Sequence, residues 1–196
     1  MHGLINNGLQ SYVEDIFGSA RWEETCLRAK LEFMNFEPTL HYKDEATDTV
    51  LDALASVVGR SRDELLEDFG TYIVSEHRDS PVRRLLQFGG DTFEEFLQSL
   101  EDVYDRAKIA LPDLQVPRLW LDSHGGGQFT LHYRFETPGY GAVVLGLLRA
   151  MADAYNALVT VQHKPQSENG IDMDLFEISL LHLDWRNSAQ QELRAS

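Results

Sequence analysis

In the first half of the chain the apolar positions fall at helical spacing. Leu4, Leu9, Tyr12, Val13, Ile16 and Phe17 form one stripe, and Gly18 stands where that helix would end. Trp22 to Leu31 reads as a short second helix. Asp48 to Val58 carries Val50, Leu51, Leu54, Val57 and Val58 on one side and stops at Gly59. Ser61 followed by Glu64 has the form of a capping box, and the helix it opens runs to about His77. Asp79-Ser80-Pro81 opens a further segment, Val82 to Phe88, which Gly89-Gly90 closes. Thr92 to about Lys108 is predicted as one continuous helix with Phe93, Phe96, Leu97, Leu100, Val103, Tyr104 and Ala107 on its apolar face. Pro112 and Pro117 end the helical half.

From Arg118 the period shortens to two. Leu119 and Leu121, then Phe129, Leu131 and Tyr133, alternate with polar residues on either side of a turn at His124-Gly125-Gly126-Gly127, the pattern of a β-hairpin. Gly139 to Asn156 returns to helical spacing. Leu158 to His163 and Ile171 to Leu183 read as two more strands joined by a polar turn through Pro165 and Gly170. Helices followed by a β-β-α-β-β unit predict an α+β fold, an N-terminal helical part packed on a C-terminal antiparallel sheet. We expect one domain over residues 1–185, its helical part at 1–112 and its sheet part at 117–183, with a polar tail at 186–196.

The chain has 196 residues, enough for a sizeable core, and a net charge of −15. That charge repels phosphate backbones and anionic headgroups, so neither nucleic acid nor a membrane surface is an expected partner. Cys26 is the single cysteine, which excludes an internal disulfide and a multi-cysteine metal cage. With no signal-like N-terminus and no apolar run of bilayer length, a cytoplasmic location is expected.

Motifs of catalysis are missing. The seven histidines are scattered without metal-ligand spacing, and there is no nucleophile elbow or phosphate-binding glycine loop. Cys26, inside a helical run, reads as a packing residue. No enzyme is expected.

The opening Met1-His2-Gly3-Leu4-Ile5-Asn6, with Tyr12-Val13, Phe17-Gly18 and Trp22-Glu23-Glu24, resembles the heme nitric-oxide/oxygen-binding (H-NOX) family. This is the sensor domain shared with soluble guanylate cyclase. The resemblance continues through Leu65 to Phe69-Gly70, Leu85-Leu86, Phe96-Leu97-Gln98-Ser99-Leu100, Pro112, Val116-Pro117 and Leu131-His132-Tyr133, over roughly residues 1 to 183. It implies heme b as cofactor, a diatomic gas such as nitric oxide as signal, and a separate signalling protein, such as a histidine kinase or a diguanylate cyclase, as partner. It also implies a heme pocket lined by Leu4, Ile5, Val74, Leu100 and Pro117, with Leu9 and Ile73 in the same apolar wall.

Two departures bear on that implication. Tyr104 stands where the family presents the histidine that binds heme iron. The family's Tyr-x-Ser-x-Arg propionate motif is here Tyr133-Arg134-Phe135-Glu136-Thr137, so the tyrosine is kept while Phe135 and Thr137 replace serine and arginine. Tyr104 is therefore either an axial iron ligand of tyrosinate type or one more aromatic of its stripe. The first reading is a heme-based sensor. The alternative is a heme-free module of the same fold, its pocket repacked or given to another apolar ligand, acting through protein contacts.

Overall fold

The computed structural model describes residues 1–75, 89–110, 112–168 and 171–181. Four helices come first: α1 (Gly3–Phe17), α2 (Ser19–Arg28), α3 (Asp44–Val58) and α4 (Arg62–Ser75). The His2 imidazole caps α1 by accepting from the Leu4 amide at 3.1 Å. Gly18 ends α1 at φ 87°, a conformation that disfavours any side chain. α3 begins a turn earlier than its apolar stripe, because Asp44 and Glu45 complement the positive end of the helix in its first turn. The capping box at Ser61 forms: the Glu64 carboxylate accepts from the Ser61 amide at 2.8 Å and the Ser61 hydroxyl accepts from the Glu64 amide at 3.3 Å. The predicted end of that helix at His77 and the Val82 to Phe88 segment lie outside the described residues.

The continuous helix predicted over Thr92 to Lys108 is divided. α5 (Phe93–Ser99) passes through one 3₁₀ turn (Leu100–Asp102) into α6 (Val103–Ala110). The Val103 amide donates to the Leu100 carbonyl, three residues back, and the Ser99 carbonyl instead accepts from the Arg106 guanidinium at 2.8 Å. A side chain has replaced a backbone donor, and the ladder tightens there.

β1 (Arg118–Gly125) and β2 (Gln128–Arg134) form the expected hairpin, with Gly126 and Gly127 both at positive φ between them, as a two-residue turn of the primed type requires. α7 (Gly141–Ala154) then crosses to β3 (Val159–Glu168) and β4 (Ile171–Leu180). The sheet is antiparallel in the order β1-β2-β4-β3. Pro165 is not in the turn but inside β3, opposite Asp174. Proline has no amide hydrogen to donate, and β3 tolerates it because it is an edge strand.

Two apolar clusters make the core. One, in the helical half, centres on Tyr12, Val13, Phe36, Leu51, Leu54 and Leu65; the other, over the sheet, on Phe96, Leu97, Leu131, Leu148, Phe176 and Ile178. Phe135 packs against both. The halves are joined where α4 meets α7. A Cβ on Gly70 would strike the Val143 carbonyl, and one on Gly146 would strike the Glu67 carbonyl. The two backbones touch with no side chain between them, and the contact is flanked by the Arg149–Glu67 ion pair.

Gly146→Ala therefore forces two backbones apart, an overpacking that costs about 1–3 kcal/mol. For a domain of this size each kcal/mol lowers Tm by about 2–4 °C. A thermal melt of Gly146→Ala is expected to show a fall of several degrees, whereas Gly8→Ala, whose methyl would meet Phe69 at 3.6 Å in ordinary contact, should cost less.

Candidate functional site

Between the helical half and the sheet lies an apolar cavity of about 210 Å³. α1 contributes Ile5 and Leu9, α4 Phe69 and Ile73, the 3₁₀ turn Leu100, and α6 Val103 and Ala107. Pro117 and Leu119 close one side, Leu131 and Tyr133 the floor, and Val143, Val144 and Leu147 of α7 the roof. These positions are the inward-facing residues of the stripes and alternations in the sequence, which is why elements from both ends of the chain converge there. Among the described lining residues the polar groups are few. The Thr47 hydroxyl donates to Asn6 at 2.8 Å and the Tyr140 hydroxyl donates to Asp48 at 3.3 Å.

Beside it is a second, polar cleft of about 360 Å³, and Tyr133 and Phe135 line both spaces. The cleft also takes in Asp63, Thr137, Gly141, His163 and Asp174. The His163 Nε2 pairs with Asp174 Oδ1 at 2.7 Å, and its ring stacks on Phe176 with centroids 4.8 Å apart. Gly141 makes room for this pair: a Cβ there would lie 2.6 Å from His163 Nε2 and 2.7 Å from the Asp174 carboxyl carbon. Tyr133 is 5% exposed, and its hydroxyl has no hydrogen bond among the described residues. Burial, then the neighbouring Asp174 carboxylate, pushes its ionisation well above the ordinary phenol value of 10.0. It stays a neutral donor.

Of the residues expected at the pocket, Ile5, Leu9, Ile73, Leu100, Pro117, Tyr133 and Phe135 line the cavity, whereas Leu4 and Val74 do not. Thr137 lines the cleft and donates to Asp44 Oδ2 at 2.9 Å; Asp44 in turn accepts from the N-terminal ammonium. Those two bonds hold the Asp44 carboxyl below its usual range. Tyr104 opens α6 half-buried, yet it is its helix neighbours Val103 and Ala107 that face the cavity. Its ring lies under the Arg118 guanidinium, 4.6 Å from the centroid. Arg118, on the first residue of β1, carried no signal in the sequence, since only the fold brings it to α6. Cys26 is buried, its thiol pushed up to about 11 by desolvation, as fits a packing residue. No cluster of three metal-binding side chains occurs among the described residues.

A helical half and a four-stranded antiparallel sheet enclosing an apolar cavity define the sensor-domain class of the H-NOX proteins. The profile of the haem-NO-binding family matches residues 2–163, and the chain belongs to that family. The fold is shared with the H-NOX protein from K. algicida (TM-score 0.78, 21% identity, 93% of this chain and 97% of that one). It is shared equally with a variant of the T. tengcongensis H-NOX protein (TM-score 0.78, 14% identity, 93% and 98%). By sequence the chain is similar to soluble guanylate cyclase gcy-31 of Caenorhabditis elegans, 24% identical over 76% of this chain and 21% of that protein. It is also similar to soluble guanylate cyclase 89Da of Drosophila melanogaster, 22% identical over 87% and 26%. The chain thus spans about a quarter of the length of these cyclases.

Domains of this family bind heme, but the donor set of the described residues does not fit a heme held in the family's manner. Among the described residues that line the cavity there is neither Tyr104 nor any histidine. Where two propionates would emerge, the cleft presents Asp63 and Asp174 and, among the described residues, no arginine. The cavity, at about 210 Å³, is below the roughly 300–1,000 Å³ of sites for drug-sized ligands, though larger than the about 150 Å³ engineered cavity that takes up benzene.

The buried tyrosines have a consequence for stability. Tyr12, Tyr133 and Tyr140 all have ionisations raised above 10.0 in the folded state, chiefly by burial. The unfolded chain loses these protons first, so their stabilising effect is complete below pH 10 and is lost as pH climbs beyond it. Urea denaturation between pH 8 and 11 is expected to show stability falling above pH 10, with a shallower fall in Tyr133→Phe; an unchanged slope in that variant would contradict its burial as a neutral phenol.

Proposed function

We propose that residues 1–185 act as a single heme-independent sensory domain: an apolar molecule enters the cavity, alters the packing of the helical half on the sheet, and a separate signalling protein reads the change. A histidine kinase or diguanylate cyclase is the partner class that the family context favours. The observation that carries this reading is the pairing of an interior cavity with a lining that, among the described residues, offers iron no histidine and propionates no arginine. Ile5, Leu100, Pro117, Tyr133 and Phe135 are the residues that would contact the ligand. Because the cavity borders elements of both halves, occupancy by a ligand that fits one separation of α4 and α7 better than another shifts their equilibrium by its differential affinity. No helix among the described residues is long and apolar enough to cross a membrane. A cytoplasmic domain working without an enzymatic step fits these features.

Absorption spectroscopy decides between this and the heme-based alternative. Protein purified from heme-replete cells, and again after hemin titration, is expected to show no stoichiometric Soret band. A stoichiometric band abolished by Tyr104→Phe would instead establish a tyrosinate-ligated heme, with Arg118 balancing the phenolate charge, and nitric oxide or another diatomic gas would return as the signal.

A further inference from the structure

Resting on the heme-free reading, we infer that the natural ligand is an amphiphile whose slender apolar body fills the cavity and whose head, a hydrogen-bond donor without negative charge, sits in the adjoining cleft. An alcohol or an amine has that chemistry; a carboxylate or phosphate does not.

The cavity and the cleft adjoin across Tyr133 and Phe135, which line both, so a molecule that reaches from one into the other passes the Tyr133 hydroxyl. That hydroxyl belongs to a residue only 5% exposed, has no partner among the described residues and opens onto the cleft, where a ligand head can meet it. It has a free acceptor lone pair for the ligand and a free donor besides.

The surrounding charge selects the head. Asp63 and Asp174 face the cleft, and the one basic side chain lining it among the described residues, His163, is already engaged with Asp174. Behind the lining, Asp44 is taken up by the N-terminal ammonium and Asp48 by Arg62, so neither nearby cation is free to meet an anion. The N-terminal end of α7 also reaches the cleft with its partial positive charge, but Asp174 lies against that end, within 2.8 Å of where a Gly141 side chain would begin. An anionic head brought here loses its water and gains carboxylates as neighbours; a hydroxyl or ammonium head gains acceptors. The apolar part is set by the cavity, whose walls are mostly aliphatic and aromatic and whose volume suits a chain or small ring system.

Three probes of equal length test this: decanol, decylamine and decanoate, titrated calorimetrically into the folded protein below their micellar concentrations and in 0.5 M salt to screen attraction to the acidic surface. Decanol and decylamine are expected to bind at least about tenfold more tightly than decanoate. Tyr133→Phe should weaken decanol by roughly three- to tenfold, as loss of one hydrogen bond implies. Asp63→Asn, an exposed change that leaves the core alone, should narrow the gap between decylamine and decanoate. Val144→Phe, which fills the cavity, should abolish binding of all three, with circular dichroism confirming the fold. Equal affinity for the three probes, or tighter decanoate, overturns the head-group preference while leaving the cavity reading intact. Binding that survives Val144→Phe is surface adsorption and overturns it as well. No binding by any probe removes the cavity reading itself.

Discussion

The contact between α4 and α7 governs the molecule, because two helices from opposite halves of the sequence touch there through bare backbone at Gly70 and Gly146. With no side chain to hold them apart, the helical half sits directly on the roof of the sheet half. The space between Ile5 and Leu9 on one side and Val143, Val144 and Leu147 on the other is then fixed by that approach. Packed interiors resist continuous deformation and switch between discrete arrangements, so a cavity spanning such a contact is a place where a small molecule can bias a large element.

The replacements at the propionate motif form a coherent local structure rather than a damaged one. Thr137 bonds Asp44, Asp44 binds the N-terminal ammonium, and Met1 is buried at the cavity wall. Phe135 packs against the apolar clusters of both halves. Where an arginine fork would hold carboxylates of a ligand, the chain has put a carboxylate of its own, Asp44, and satisfied it internally. Each change removes a cation or adds an apolar surface, and together they alter which head group the pocket mouth can tolerate.

Much of this was legible in the sequence. The helix stripes, the Ser61–Glu64 box, the glycine turn of the hairpin and the β-β-α-β-β order are local properties, and local chemistry decided them. What was not legible depends on partners distant in sequence. The break at Leu100–Asp102 needs the Arg106 guanidinium to compete for the Ser99 carbonyl, which an apolar stripe does not report. Pro165 reads as a turn until the strand order shows that its strand is at an edge. The residue-by-residue resemblance identified Tyr104, but a match of position says nothing of whether helix rotation turns Val103 and Ala107 to the cavity in its place. The polar cleft combined Asp63 from a helix start with His163 and Asp174 from two strands, a convergence with no linear signature.

The margins of the sheet carry one more implication. On β3, Pro165 withholds an amide hydrogen, and on β1 the Leu121 amide is already engaged by the Glu101 carboxylate of the 3₁₀ turn at 2.9 Å. Both rims are therefore poor templates for an incoming strand, and the four-stranded sheet is closed to growth by ladder extension. Any protein that docks here must recognise the shape and charge of side-chain faces, a mode of contact that can be made and released without rewriting backbone pairing.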